Sequence, residues 1–162
     1  MKIKILSAIL LGLTTLSFFG NENIFLERSF WSTNPSIDLI KETMAAGHDV
    51  AELSSNGFDA VVWALIEKTE NETVIFLLQQ NGNEPSKLTH DGRTYIFWAA
   101  YRDNIEIMQH LIDNGAKTDV IDSHGYSLMN FAAVTGQLNP KLYDFCMSNG
   151  ADVTREKSHD GA

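Results

Sequence analysis

The chain has 162 residues, 44% of them apolar and 20% charged, with 11 Gly, 3 Pro and a single Cys; 21 Asp and Glu against 12 Lys and Arg give a net charge of −9. That much apolar residue excludes a wholly disordered chain, one thiol excludes a disulfide scaffold, and the length suffices for one compact domain or a short repeat array with a buried core. A strongly anionic body is repelled by nucleic acid and anionic lipid, so neither is expected as a partner.

In chain order, residues 1–20 come first. Lys2 and Lys4 precede an apolar stretch from Ile5 to Phe19, broken by Ser7, Gly12, Thr14 and Thr15, after which Gly20 and Asn21 follow. The stretch falls short of the roughly 20 apolar residues that cross a bilayer. The pattern is that of a secretory signal peptide, which predicts an exported protein of a bacterial cell, periplasmic or secreted, with no membrane contact beyond that segment. Residues 21–35 then read as an N-terminal linker or cap, and residues 36–162 as a repeat array.

Two glycine ladders carry the repeat. Ala46-Gly47, Asn81-Gly82, Asn114-Gly115 and Asn149-Gly150 recur at 35, 33 and 35 residues; Asn56-Gly57, Asp91-Gly92, His124-Gly125 and Asp160-Gly161 recur at 35, 33 and 36. Two independent series sharing one period mark a solenoid. Two residues after the second series stand Asp59, Thr94 and Ser127, side chains that can accept from the free N–H groups of a first helical turn. A helix is expected to start there in each unit. Eleven residues before each closing glycine stand Ser36, Asn71, Asn104 and Asn139, the last followed by Pro140, and a second helix is expected to start there.

The second helices carry apolar stripes at spacings of three and four: Leu39, Ile40 and Met44; Val74, Leu77 and Leu78; Ile107, Met108, Leu111 and Ile112; Leu142, Cys146 and Met147. Cys146 shares a register with Leu78 and Leu111, which makes it a core residue rather than a nucleophile. The first helices carry Ala64, Ala99-Ala100 and Ala132-Ala133, small enough to let neighbouring units approach. Neither hairpin has the apolar surface to stand alone, so the expected fold is an all-α solenoid of stacked helix-turn-helix units with short finger loops.

These residues resemble ankyrin repeats. In the best unit Asp91-Gly92-Arg93-Thr94 resembles the opening turn, Trp98-Ala99-Ala100 the apolar-Ala-Ala of the first helix, and Leu111 to Ala116 the end of the second helix with its Gly-Ala. The last unit matches at Gly125, Ser127, Ala132-Ala133 and Asn149-Gly150-Ala151; residues 36–50 supply only the second helix of a capping unit. The pattern departs where the family has Pro-Leu-His: this chain has Ala60-Val61-Val62, Tyr95-Ile96-Phe97 and Leu128-Met129-Asn130, so cohesion between units is expected to rest on apolar packing. Residues 158–162 resemble the opening turn of another unit, which leaves the last stacking face uncapped or continued in a longer parent chain.

No phosphate loop, HExxH, CxxC or GxSxG motif occurs, so neither catalytic residues nor a cofactor are expected. Turn histidines His90, His124 and His159 fall in successive units, yet stacked helices lie roughly 8–10 Å apart whereas donors of one zinc ion at about 2 Å lie within about 4 Å of one another. No metal site is expected from them. Asn71-Glu72-Thr73 fits a glycosylation sequon, but Asn71 is already explained as a helix cap.

The resemblance implies a partner protein on the concave surface formed by finger tips and first helices. By register that surface holds Phe58, His90, Arg93, Tyr101, Arg102, His124 and Tyr126. Arg93 and Arg102 beside Tyr101 and Tyr126 suggest a cationic, aromatic patch on an acidic body, suited to an acidic or amphipathic protein segment; the alternative is that these arginines pair with Asp91, Asp103 or Glu67. The expected function is a non-catalytic interaction scaffold. Other readings are a dedicated inhibitor or protective chaperone of one exported enzyme, and a carbohydrate-binding module using Trp63, Trp98 and Phe131, which read more simply as core.

Overall fold

The computed structural model describes residues 22–154; the signal segment and the turn around His159 lie outside the described residues. Eight α-helices follow one another: α1 (Arg28–Trp31), α2 (Ile37–Ala45), α3 (Ala60–Ile66), α4 (Asn71–Leu78), α5 (Tyr95–Tyr101), α6 (Ile105–Asp113), α7 (Leu128–Val134) and α8 (Pro140–Ser148), with 3-10 turns at Ile24–Leu26 and His90–Gly92. No strand occurs among the described residues. Helices of this length are marginal alone in water. They persist because α3 packs on α5 and α5 on α7 as an inner layer, while α4 packs on α6 outside it.

Every helix for which the sequence places a cap starts there except α4, and every such cap except Thr94 makes its bond. Asp59 Oδ1 accepts from Val62 N at 2.9 Å, Ser127 Oγ from Asn130 N at 3.1 Å, and Asn104 Oδ1 from Ile107 N at 3.1 Å. Thr94 stands at the cap of α5 but makes no capping bond; its hydroxyl is buried without a partner, closed in by the packed start of that helix. Asn71 is the first residue of α4 rather than its cap, and its Oδ1 accepts from Asn104 Nδ2 at 2.7 Å across the unit boundary. Glu70, which takes the cap position, makes no side-chain bond.

The core follows the small residues and the stripes. Ala60, Val61, Val62, Ala64, Ile96, Phe97, Ala99 and Ala100 are fully buried, as are Leu77, Ile107, Met108, Leu111, Leu142 and Cys146. Leu39 and Met147 lie on the exposed side of their helices at 42% each, so the stripes are narrower than the sequence suggests. Ahead of Ser36 the chain is folded: Phe25 and Trp31 are fully buried, Trp31 Nε1 donates to the Phe25 carbonyl at 2.8 Å, and α1 packs on α3.

Between the first two full units the cohesion is polar as well as apolar. Tyr95, in the place of the family proline, donates from its buried hydroxyl to Asp59 Oδ2 at 2.6 Å, with Asn83 Oδ1 at 3.1 Å. Lys87 Nζ reaches the same Asp59 oxygen at 2.8 Å, Asn83 Oδ1 at 3.2 Å and the Ala51 carbonyl at 2.7 Å. Asn83 Nδ2 donates to the carbonyls of Leu77 and Val50. Asp59 is fully buried, and burial together with that charge pushes the Tyr95 phenol far above its ordinary pKa. Apolar packing alone therefore does not hold this boundary, because the chain supplies a substitute network for the missing histidine.

Candidate partner-binding face

Three fingers project beside the inner helices, each closed by one backbone bond in one register: Ser54 N to Phe58 O, Thr89 N to Arg93 O, and Asp122 N to Tyr126 O. Neighbouring fingers are tied by His90 N to Gly57 O and Ser123 N to Asp91 O, both at 2.8 Å. That close approach explains Gly57, whose φ is +77° and whose hydrogen faces His90 N; a Cβ there would sit 2.9 Å from that nitrogen.

Inside the fingers the aromatic residues form one continuous row. Phe58 stacks between Trp63, at 4.6 Å, and His90, at 4.5 Å. Trp98 meets Phe58, Phe131 and Tyr101 at 5.7, 6.1 and 6.4 Å. Trp63 is half-buried, stacked on Phe58 and 5.7 Å from the Arg28 guanidinium; Trp98 and Phe131 are each 5% exposed. Trp98 and Phe131 are core residues, as their register suggests, and do not form an open row of rings with Trp63.

Arg93 does not contribute to an exposed cationic patch. Its guanidinium is buried, donates from Nε to Asp122 Oδ2 at 2.8 Å and from NH1 to Asp91 Oδ2 at 3.1 Å, and lies 4.3 Å above Phe131. The alternative of pairing with Asp91 holds, and Asp122 adds a second, fully buried carboxylate. Arg102 lies elsewhere: its guanidinium covers the Tyr101 ring at 4.8 Å, and it lines a cleft between the starts of α4 and α6.

Asp91 is the convergence point of the fingers. His90 Nε2 approaches its Oδ2 at 3.3 Å and His124 Nε2 at 3.1 Å, while His90 Nδ1 lies 2.7 Å from the Asn56 carbonyl. Partial burial pushes the Asp91 carboxyl up, but the His124 hydrogen bond and the nearby His90, Arg93 and His124 charges outweigh it and hold the group below the usual aspartate range. Two imidazoles of successive units thus reach one oxygen, although helix spacing argued for their separation; finger side chains bridge a gap that helix axes do not. Among the described residues no group of three or more His, Cys, Asp and Glu is arranged to hold a metal ion.

Phe58, His90, Tyr101 and Tyr126 are half-buried on this face and His124 is exposed. The sequence reading missed a further feature. Leu53, Leu88 and Ile121, each four residues before its turn glycine, are 40%, 61% and 57% exposed, an aliphatic row along three successive fingers. The shared register was legible; that it faces solvent was not, since an aliphatic residue there reads equally well as core.

The ankyrin-repeat family model, in three copies, matches residues 31–122 and 61–157. No curated protein matches the chain. With the matched residues covering most of the sequence, and helical hairpins stacked at the period of the glycine ladders, the chain belongs to the ankyrin-repeat family.

Proposed function

We infer that the protein is a non-catalytic scaffold that seats a partner protein across its fingers and inner helices. Ankyrin repeats generally mediate protein–protein interaction. The single observation that carries the reading here is the exposed row of Leu53, Leu88 and Ile121. Aliphatic side chains held in water at one register in three units cost solvation that folding alone does not require, and such a row rimmed by polar groups marks an interaction surface. Half-buried Tyr101 and Tyr126 add residues of the type that anchors interfaces. With Arg93 neutralised, the partner segment this face suits is apolar and neutral rather than acidic.

Export is part of the proposal, supported by the basic start and the apolar stretch of residues 1–20. Amino-terminal sequencing of the mature protein tests it; a chain that retains Met1 in the cytoplasm refutes it. For the binding face, the double variant Leu88→Asp with Ile121→Asp is expected to keep the wild-type thermal midpoint within about 0.5 kcal/mol of stability, as exposed sites do, while losing the partner crosslinked in the native compartment. Undiminished crosslinking would remove the row from the interface.

A further inference from the structure

Away from the fingers, a cleft of about 780 Å³ opens between the starts of α4 and α6, where two consecutive outer helices begin side by side. Its lining includes Lys68, Thr69, Asn71, Arg102, Asn104 and Glu106. Of the four buried side-chain polar atoms without a hydrogen-bond partner among the described residues, two belong to this lining: Thr69 Oγ1, in a residue only 4% exposed, and Arg102 Nε. Among the described residues Arg102 has no carboxylate within ion-pair distance, unlike Arg28, Lys87 and Arg93. The first N–H groups of α4 and α6 have no intrahelical acceptor, and the cap residue of α4 offers no side-chain oxygen to them.

Asn104 Oδ1 already takes Ile107 N, and the Glu70 carbonyl takes Thr73 N, but the amides of Asn71, Glu72, Ile105 and Glu106, the Thr69 hydroxyl and Arg102 Nε are donors without an acceptor among the described residues. An unsatisfied buried donor costs free energy that a ligand rich in acceptors would return. Two adjacent helix starts favour negative charge, and a guanidinium fork selects a planar oxyanion. Glu70, Glu72 and Glu106, exposed at the rim, disfavour a multiply charged anion such as phosphate. We propose that this cleft binds a single carboxylate group, held by the amides at the starts of α4 and α6, the Arg102 guanidinium and the Thr69 hydroxyl. The carboxylate comes from a small free acid or from the end of a polypeptide, and the site is independent of the finger face.

The test uses the full mature chain, isotope-labelled, with sodium acetate titrated against sodium chloride at matched ionic strength. Saturable displacement of the Asn71, Glu72, Ile105 and Glu106 amides with acetate alone is expected, with affinity reduced at least about tenfold in Arg102→Gln, the size of one charge-assisted hydrogen bond. Thr69→Val, which keeps the side-chain shape, should also weaken acetate binding and carries the test if Arg102→Gln does not fold. Displacements no larger than with chloride, or undiminished in both variants, overturn the proposal. A peptide with a free C terminus binding more tightly than acetate, and losing that advantage when amidated, assigns the source to a polypeptide; equal affinities assign it to a free acid. Because Leu88→Asp with Ile121→Asp leaves this cleft untouched, failure of the finger face and failure of the cleft are separately visible.

Discussion

Asp59 has two jobs that its two oxygens divide between them. Oδ1 caps α3, and Oδ2 receives both the Lys87 ammonium and the Tyr95 hydroxyl in a site closed to water. Removing Lys87 would leave a buried carboxylate without its counter-ion, the situation that costs most in such pairs. Lys87→Ala is therefore expected to lower stability by about 3–5 kcal/mol in urea unfolding, whereas Tyr95→Phe, which removes one hydrogen bond and keeps the ring, should cost about 1 kcal/mol. Equal losses would mean that packing around Tyr95, and not charge, holds the boundary. At Asp91 the sign of the pH dependence follows from the depressed carboxyl. A group whose folded pKa lies below its unfolded value near 3.9 stabilises the fold fully above that value and loses the contribution as pH falls through the folded one. Asp91→Asn should thus lower the thermal midpoint at neutral pH, and the gap from wild type should close as the solution is acidified below about pH 4. A gap independent of pH would show that Asp91 acts through shape alone.

The helices depend on their ends and on their neighbours. Ser127 and Thr94 occupy equivalent starts, yet only Ser127 accepts from the helix it opens. Ser127→Ala should cost about 1 kcal/mol. Thr94→Val replaces a buried, unpartnered hydroxyl with a methyl of the same shape, and is expected to be neutral or stabilising, because no hydrogen bond is lost and a desolvated polar group is removed. A comparable loss in both variants, measured by chemical unfolding, would restore Thr94 as a working cap. The finger turn at Gly57 is constrained twice. Its φ of +77° disfavours any Cβ by about 1–2 kcal/mol, and that Cβ would press on backbone that is itself hydrogen-bonded to Gly57 O. Gly57→Ala should therefore destabilise by more than about 1 kcal/mol, with the amide of His90 among the first to lose exchange protection.

Across the described residues, stacking has one direction, and its first and last units are unlike. At the start, Phe25 and Trp31 close the first unit with rings that are fully buried. Further along, Ala100 is fully buried beneath the following unit, while Ala133 in the same register is exposed and Val134 beside it is 56% exposed. Within the stack, the fingers line up because backbone bonds link Gly57 to His90 and Asp91 to Ser123. That alignment turns three separate aliphatic residues into one row, and brings Phe58 of one finger into ring contact with His90 of the next. A solenoid's surface features are sums over units, so a substitution in one finger is expected to weaken binding in proportion to its share of the row rather than abolish it.

What the sequence alone determined was periodic and local. The spacing of glycines, the cap residues at Asp59, Asn104 and Ser127, and the small residues of the inner helices specify hairpins of fixed length, because each depends on residues within one or two turns. Tertiary structure decided which charge meets which. Arg93 had Asp91 two residues away and Asp122 in the next unit; only the stacking offset between units brings Asp122 to 2.8 Å and closes the pair from water. The same offset gathers His90 and His124 on Asp91 and carries Arg102 to the mouth of a cleft. Side-chain partners across a unit boundary are set by a rigid-body displacement of a few ångströms, and no pattern of residue types along one chain encodes that displacement directly.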